Sequence, residues 1–214
     1  DSVPVTGLWY QVAIVRTTTP NQVTFFVNGE QLNTVSLTRT PIGSTDITRI
    51  GSRSGSFSFD GSISNVSIFD SALPATGTES VESLYNYGTP PNIASYSNLQ
   101  GWWELDASAT FDGSNWSIPD ASGNSNTGTS STQADLIINQ SYDPFSLSFD
   151  GTDDRVGFTS SIDLGTTNTI SLWLRNEVSQ DRIFLGEDSY SGDYHILGGY
   201  NHFIVRVGGS YNVL

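Results

Sequence analysis

The alternation of apolar and polar residues along most of the chain is typical of β-strands. Residues 8–16, LWYQVAIVR, are apolar on both alternating faces, which predicts a strand buried inside a sandwich. Residues 170–175 alternate Ile, Leu and Leu with Ser, Trp and Arg. Asn28-Gly29 lies between two apolar runs and can take the positive φ angles of a tight hairpin turn. Residues 59–69 alternate imperfectly, which predicts a strand with a β-bulge.

One segment departs from this pattern. Residues 77–88, GTESVESLYNYG, offer Thr78 as an N-cap and a terminal Gly88, which predicts a short helix. The polar stretch 89–98 contains Pro90-Pro91 and is predicted to be a linker, because two prolines cannot continue a helix. With about ten or more short strands and no βαβ spacing, the sequence predicts an all-β fold, an antiparallel sandwich or jelly roll with one short helix.

Composition and charge narrow the function classes. The chain has 22 acidic and 8 basic residues, a formal net charge of −14, and all the basic residues are Arg. A nucleic-acid surface needs a basic face, so nucleic acid is not an expected partner, and anionic membranes are disfavoured for the same reason. The absence of cysteine excludes disulfides and thiolate metal sites. No apolar run approaches the roughly 20 residues of a membrane span.

Eight motifs resemble those of the laminin-G-like, concanavalin-A-like jelly-roll domains. They include a "W-Y-x-V-A-x-V-R" strand, a "V-N-G" hairpin, a "D-x-S-G-N-x-N-x-G" loop and an "F-D-G-x-D-D-x-V" turn. In this chain the motifs of the family's second half come first and those of its first half follow. They occupy residues 9–16, 27–29, 59–69, 72–85, 103–105, 120–128, 149–156 and 169–173.

The resemblance implies that residues 1–88 are the C-terminal half of such a domain, 89–98 a linker, and 99–214 the N-terminal half. A circularly permuted domain and a slice from a tandem array both explain this order. In either case we expect a complete sandwich, built within the chain or with neighbouring copies, since a lone half exposes unpaired strand edges. The chain has no Met, so we expect it to be a piece of a longer protein. The linker also resembles junctions in surface proteins of tailed-phage virions.

Catalytic residues are not expected. The related sandwich glucanases carry an E-x-D-x-E-like strand, and no such strand occurs here. Glu104 and Asp106 are an i, i+2 pair without a third carboxylate, and we predict a structural role for them. His195 and His202 stand in a predicted hairpin with no nucleophile elbow in the sequence, so they too are predicted to be structural or solvent-exposed.

Calcium is a possible cofactor. Hard cations take oxygen ligands from carboxylates, amides and carbonyls. Two loops offer such groups: DASGNSNTG supplies Asp120 and Asn124, and DGTDD supplies Asp150, Asp153 and Asp154. The same residue types also form Asx turns, in which the side chain caps a local N–H. Both interpretations stay open from the sequence.

Sugar binding is the usual task of lectin-like members of the family. A sugar site needs an aromatic platform with planar polar partners. Trp9, Trp103 and Trp173 lie in motif strands and are predicted to be core residues. Trp102 and Trp116 stand beside turns and are the predicted exposed candidates for ligand binding.

Together these features favour a non-enzymatic structural or adhesion module on an extracellular or virion surface. A glycan or cell-surface polysaccharide and other copies or repeats of the same protein are the expected partners, within a longer repeat protein such as a phage capsid or tail fibre. Two alternatives stay open: an accessory carbohydrate-binding module of a secreted glycan-active enzyme, and a purely structural fibre repeat without a ligand.

Overall fold

The structure is a computed structural model of the chain. It describes residues 5–37, 46–52, 58–130, 137–138, 146–178, 182–186, 194–198, 203–207 and 210–213. His202 lies outside these residues, and His195 lies on the strand 194–198. None of the helices in the described part of the chain has the length and apolarity needed to cross a membrane.

Seventeen strands and one short α-helix make up the described secondary structure. The strands are β1 (Trp9–Thr18), β2 (Asn21–Val27), β3 (Glu30–Ser36), β4 (Asp46–Ile50), β5 (Asp60–Phe69), β6 (Leu99–Trp103), β7 (Thr110–Phe111), β8 (Trp116–Ile118), β9 (Gly128–Ser130), β10 (Ile137–Ile138), β11 (Leu147–Asp150), β12 (Val156–Asp163), β13 (Asn168–Asn176), β14 (Arg182–Gly186), β15 (Tyr194–Gly198), β16 (Phe203–Val207) and β17 (Ser210–Val213). The helix α1 is Val81–Tyr85, and a 3₁₀ turn, Asn86–Gly88, follows it directly.

The strands form two antiparallel sheets, as the predicted sandwich requires. Sheet A has the order β10-β11-β5-β13-β1-β2-β3, and β6 also pairs with β5. Sheet B has the order β17-β16-β15-β14-β4-β12-β9-β8-β7. Strands from before and after the predicted linker pair with each other in both sheets: β1 pairs with β13, and β4 pairs with β12 and β14. The predicted division of the chain into two halves and a linker stays a prediction.

Local sequence signals explain two features of sheet A. Asn28 and Gly29 both have positive φ, 52° and 78°, so they form the turn between β2 and β3 that the sequence predicted. The predicted irregularity in β5 is also present: Asn65 has φ 48°, and the pairing of β5 with β13 shifts register beside it. N-terminal to this bulge β5 pairs with β11, and C-terminal to it β5 pairs with β6.

The main core lies between the two sheets. Alternation along β1 points Val12 and Ile14 into it, where they meet residues such as Phe59, Trp103 and Phe149. Side chains of this size contribute roughly 1.5–3 kcal/mol each when they are fully buried. The Trp103 indole N–H donates a hydrogen bond of 2.9 Å to the carbonyl of Asn126, so this large ring is buried without an unsatisfied donor.

A second apolar cluster covers part of the outer face of sheet A. Ala13 and Val15 alternate with the core residues of β1 and therefore face outward, where helix α1 and the segment after it cover them. Val81 and Leu84 of the helix are both buried. The buried members of the cluster are Ala13, Val15, Phe26, Phe69, Leu73, Val81, Leu84, Ile93, Leu99 and Trp102.

The helix is shorter than predicted and has a different cap. Ser80, not Thr78, is the N-cap: its hydroxyl accepts the Ser83 backbone N–H at 3.1 Å, and the Ser83 hydroxyl accepts the Ser80 N–H at 2.8 Å. This reciprocal pair satisfies two N–H groups that a helix start leaves open. Asn86 and Tyr87 then adopt left-handed conformations, with φ of 43° and 54°, which end the helix before Gly88.

Candidate functional site

A cleft of about 510 Å³ opens on the outer face of sheet A, beside the helix and the segment that follows it. It is formed by five separate parts of the chain, so no short motif corresponds to it. Its volume lies within the range of sites that bind small molecules. The described residues that line it are Trp9, Ser64, Asn65, Gly88, Thr89, Pro90, Pro91, Asn92, Glu104, Asp106 and Trp173.

Two tryptophans supply the aromatic part of the cleft. Trp9 of β1 faces Arg175 across the β1–β13 pair, and Trp173 faces Gln11. Because side chains alternate along a strand, both indoles lie on the outer face of sheet A. Trp9 is half-buried, whereas Trp173 is 8% exposed. The expectation of a core position is confirmed for Trp103, between the sheets, and Trp173 is also buried, although on the outer face; it is wrong for Trp9, which is half-buried.

Neighbouring side chains hold these two rings in place. Tyr85 of the helix stacks on Trp173, with 5.7 Å between the ring centroids and an angle of 20° between the planes. The guanidinium carbon of Arg175 lies 5.7 Å from the centroid of the Trp9 ring, a cation–π distance. Arg175 also forms an ion pair of 2.8 Å with Glu177. Restrained rings lose less entropy when a ligand binds them.

The bulge in β5 places a planar amide in the cleft. The Asn65 N–H donates to the carbonyl of Glu104 at 3.1 Å, and the Ser64 hydroxyl donates to the same carbonyl at 3.2 Å. The Asn65 amide oxygen accepts the indole N–H of Trp102 at 3.3 Å. These bonds join the bulge in β5 to β6 and to the segment that follows it. The Asn65 side chain is thus a fixed polar group between the aromatic and acidic parts of the cleft.

Two carboxylates supply the charge of the cleft. Glu104 and Asp106 follow β6 directly and both are half-buried. Burial, and to a smaller extent the neighbouring charge of Asp106, raise the pKa of Glu104 above its ordinary value. Asp106 accepts the Ser108 N–H at 2.8 Å, which orients its carboxylate. Among the described lining residues there is no Lys, Arg or His, so the cleft has an acidic wall.

The segment after the helix forms the opposite wall. The left-handed conformations of Asn86 and Tyr87, followed by Gly88 at φ 91°, direct the chain out of the helix and along the cleft. Buried Ile93 then anchors the end of this wall in the outer apolar cluster. Tyr87, next to the first residue of the wall, is 91% exposed. An exposed ring in a sparsely populated backbone conformation is the kind of feature that functional surfaces retain.

The two tryptophans predicted to bind a ligand lie elsewhere. Trp102 is 3% exposed and belongs to the outer apolar cluster, so its predicted exposure is wrong. Trp102 lies opposite Ser67 in the pairing of β6 with β5, on the outer face of sheet A, where the outer apolar cluster buries it. Trp116 on β8 is half-buried and packs against Phe111 with 5.2 Å between ring centroids. Its role in ligand binding stays a prediction.

The loop after β8 uses its carboxylate to hold its own backbone. The Asp120 carboxylate accepts the N–H groups of Trp102, Ser122 and Asn126 at 2.9–3.0 Å. The Asn124 amide donates to the carbonyls of Leu99 and Gln100. These contacts are those of an Asx turn tied to β6. The alternative role as cation ligands stays a prediction for this loop.

The turn between β11 and β12 is arranged differently. Oxygen atoms of Asp150, Asp153 and Asp154 lie within 4.8 Å of one another, and Asp154 is fully buried. The Asp150 carboxylate accepts the Thr152 N–H, and the Asp154 carboxylate accepts the Asp150 N–H. Oxygen ligands 2.3–2.6 Å from a calcium ion lie at most about 5 Å apart, so this donor set fits calcium in chemistry and spacing.

Sequence reasoning missed the cleft. The structural role predicted for Glu104 and Asp106 stays a prediction, and no local signal indicated that Trp9 would be half-buried on the outer face. The signal that could have found the site was that residues 8–16 are apolar on both faces. A strand of this kind needs a covering element on each face. The short helix and the proline-rich segment after it were the elements in the sequence that could cover the second face.

The comparisons with known proteins agree with the fold and give no ligand. Residues 1–77 match the sequence model of a laminin G-like family, described as the concanavalin A-like lectin/glucanases superfamily. The resemblance to concanavalin A-like jelly rolls is thereby confirmed, and the two antiparallel sheets form a sandwich of that class. No curated protein and no solved structure matches the chain. The match includes Trp9 and Asn65 and ends before Glu104, Asp106 and Trp173.

Proposed function

We propose that this chain is a non-enzymatic glycan-binding module of an extracellular or virion-surface protein, and that the outer-face cleft is its binding site. The observation that carries the proposal is the combination, in one cleft, of two tryptophans, a fixed amide and two carboxylates. Aromatic rings stack on the apolar faces of sugars, and planar polar groups bind sugar hydroxyls.

Each part of the cleft has a distinct task in this proposal. Half-buried Trp9 binds the C–H face of a sugar ring, and Trp173, which is 8% exposed and stacked on Tyr85, supports that contact from within the cleft lining. Asn65, fixed by the Trp102 indole, fixes the orientation of the sugar through hydroxyl groups. The wall at residues 88–92 closes the far side of the cleft. Exposed Tyr87 is suited to contact a second sugar unit, so the site favours an oligosaccharide over a single sugar.

The absence of an E-x-D-x-E strand from the sequence supports a binding role in preference to hydrolysis. The strongly acidic composition favours solubility at a surface that is exposed to solvent. In such a setting, repeats of the module within a longer protein would increase avidity for a polysaccharide without any new contact. Calcium is proposed as an additional stabilising ligand of the turn at 150–154.

A glycan array tests the proposal, run in calcium and again in chelator. Hits are then measured with purified wild type, Trp9→Ala and Trp116→Ala. A central aromatic anchor is worth about 2 kcal/mol or more, so Trp9→Ala should weaken binding at least roughly tenfold. Trp116→Ala is the matched control, since it removes another half-buried indole outside the cleft. Melting curves of both variants confirm that they fold.

Three other results would change the assignment. An equal loss of glycan affinity in Trp9→Ala and Trp116→Ala would mean that the binding site lies outside the cleft. Binding that Trp116→Ala alone removes would favour the edge of sheet B. No glycan binding in either condition would favour a purely structural surface repeat.

A further inference from the structure

We infer that the cleft is selective for saccharides that carry a protonated amine, such as oligosaccharides of de-N-acetylated amino sugars. This inference rests on the proposed glycan-binding function and names the chemical class of the glycan. It depends on the charges and rings that meet in the cleft and on the partial burial of Glu104 and Asp106.

The described charged side chains that line the cleft are all acidic, and the nearby Arg175 guanidinium, which lies against Trp9, is paired with Glu177 at 2.8 Å. Glu104 and Asp106 both line the cleft, and the described lining residues include no cationic side chain. The whole chain carries a formal net charge of −14, so the surrounding field has the same sign. An anionic sugar, with a carboxylate or sulfate group, would therefore be repelled, and a cationic sugar would be attracted.

The aromatic rings favour the same ligand. A cation within about 6 Å of an indole centroid is attracted by the ring quadrupole, and Trp is the best of the aromatic residues for this contact. The Trp9 ring already contacts the Arg175 guanidinium at 5.7 Å, so a ligand ammonium group would share this ring with Arg175. An ammonium group in the cleft can pair with the carboxylate of Glu104 or Asp106 beside the half-buried Trp9 ring, whereas a neutral sugar gains no ion pair.

The half-burial of Glu104 gives this selectivity its strength. A charge-assisted hydrogen bond is roughly twice as strong as a neutral one, and it strengthens where water is excluded. Burial also makes the isolated Glu104 carboxylate costly to ionise, as the rise of its pKa indicates. A bound ammonium removes this cost. A neutral hydroxyl in the same place would remove only a small part of it.

Calorimetry with two oligosaccharides of equal length tests the inference at about pH 6, where aliphatic amines are protonated. One is a β-1,4-linked glucosamine oligomer, and the other is the corresponding glucose oligomer, which has a hydroxyl in place of each amine. Wild type should bind the glucosamine oligomer roughly tenfold more tightly than the glucose oligomer. N-acetylated oligomers, which are neutral, should bind like the glucose form.

Matched variants assign the selectivity to the cleft. Glu104→Gln should lower affinity for the amine form roughly tenfold and leave the glucose form within about twofold. Asp106→Asn retains an oxygen that can accept the Ser108 N–H, and it serves as a second test if Glu104→Gln folds poorly. Glu30→Gln removes one exposed carboxylate from β3, outside the cleft, and should change neither affinity.

The outcomes separate this inference from the proposed function. Equal binding of amine and glucose forms would overturn the inference and leave glycan binding intact. If other array glycans bind in a Trp9-dependent way and the glucosamine oligomer does not bind, the inference is likewise overturned and glycan binding stands. If no glycan binds, both the inference and the proposed function are wrong. Binding of a lysine-rich peptide alone, lost in Glu104→Gln, would replace the saccharide with a basic protein partner.

Discussion

The cleft on sheet A and the two Asp-rich loops differ in how their polar groups are used. In the loop at 120–128, the Asp120 carboxylate is occupied by three backbone N–H groups of its own chain. In the cleft, the polar groups come from segments as far apart as Ser64 and Asp106, and they face an open volume of about 510 Å³. The polar groups of a short motif are therefore often occupied by hydrogen bonds to the local backbone. A binding site instead needs polar groups that the fold brings together from distant segments.

The turn at 150–154 is intermediate between these two regions. Its backbone N–H groups bind the carboxylates of Asp150 and Asp154, as in an ordinary turn. It also brings a third carboxylate, Asp153, within 4.8 Å of the other two. Like charges at this distance repel each other, so a cation would relieve a cost that the 120–128 loop does not have.

The largest expected effect tests whether the 120–128 loop is structural. Asp120→Ala removes the acceptor of three N–H groups, one of which, that of Trp102, belongs to β6. Hydrogen bonds to a charged group are worth more than neutral ones, so we expect a loss of about 3 kcal/mol in the free energy of unfolding. Urea denaturation measures it, with the same loss expected in calcium and in chelator.

An exposed Asx turn is the control for this prediction. Asp112 accepts the N–H groups of Ser114 and Asn115 in the same manner, and these bonds lower its pKa. It is fully exposed, so Asp112→Ala should cost less than Asp120→Ala. A loss at Asp120 that appears only in calcium would show that this loop is a cation site.

The next effect concerns calcium. At a concentration about ten times its dissociation constant, a ligand stabilises a protein by about 1.4 kcal/mol. For a chain of this size that corresponds to a rise of about 4 °C in Tm. We expect this rise in wild type, and we expect Asp153→Asn to remove it, because Asp153 is exposed and its neutralisation leaves the turn bonds of Asp150 and Asp154 in place.

Asp112→Asn provides the comparison for calcium. It changes net charge by the same amount outside the turn, so its calcium-induced rise in Tm should equal that of wild type. A Tm that calcium and chelator leave unchanged in wild type would contradict the calcium prediction. It would place the 150–154 turn with the 120–128 loop as turn structure alone.

The parts of the fold that sequence predicted are those that local patterns decide. The turn at Asn28-Gly29 needs two residues that tolerate positive φ, and few residue pairs do so. The helix depended on a cap, and the sequence offered two nearby hydroxyls, at Thr78 and Ser80. Ser80 is the N-cap because it forms reciprocal hydrogen bonds with Ser83, and the sequence pattern does not show these bonds. Strand type and sandwich class thus followed from periodicity, whereas exact ends did not.

The cleft could not be predicted because it depends on strand register and on the path of residues 88–93. Trp9 and Trp173 are neighbours only through the pairing of β1 with β13, and no local signal in either segment specifies that register. A one-residue change in register would turn one of the two indoles to the other face. The wall at residues 88–92 likewise depends on the burial of Ile93 against residues such as Ala13 and Val15 of β1, which are far from it in sequence.

The smallest expected effect is the pH dependence of binding to the cleft. The pKa of Glu104 is raised in the free protein, so lowering the pH protonates this carboxylate earlier than an ordinary glutamate. A bound ammonium favours the ionised form, which means that binding lowers the Glu104 pKa and releases a proton. Affinity for the glucosamine oligomer should therefore fall as the pH is lowered from 6 to 5, by less than the tenfold limit set by one proton per pH unit.

Calorimetry across this pH range, in buffers of different ionisation enthalpy, counts the released protons directly. Glu104→Gln should remove most of the dependence, although Asp106, the other titratable group among the described lining residues, stays in place. The glucose oligomer should bind equally at both pH values, because it gains nothing from the carboxylate charge. An affinity for the glucosamine oligomer that rises or stays constant as the pH falls would mean that Glu104 does not face the amine. The cleft would then bind sugars through its rings and amide alone.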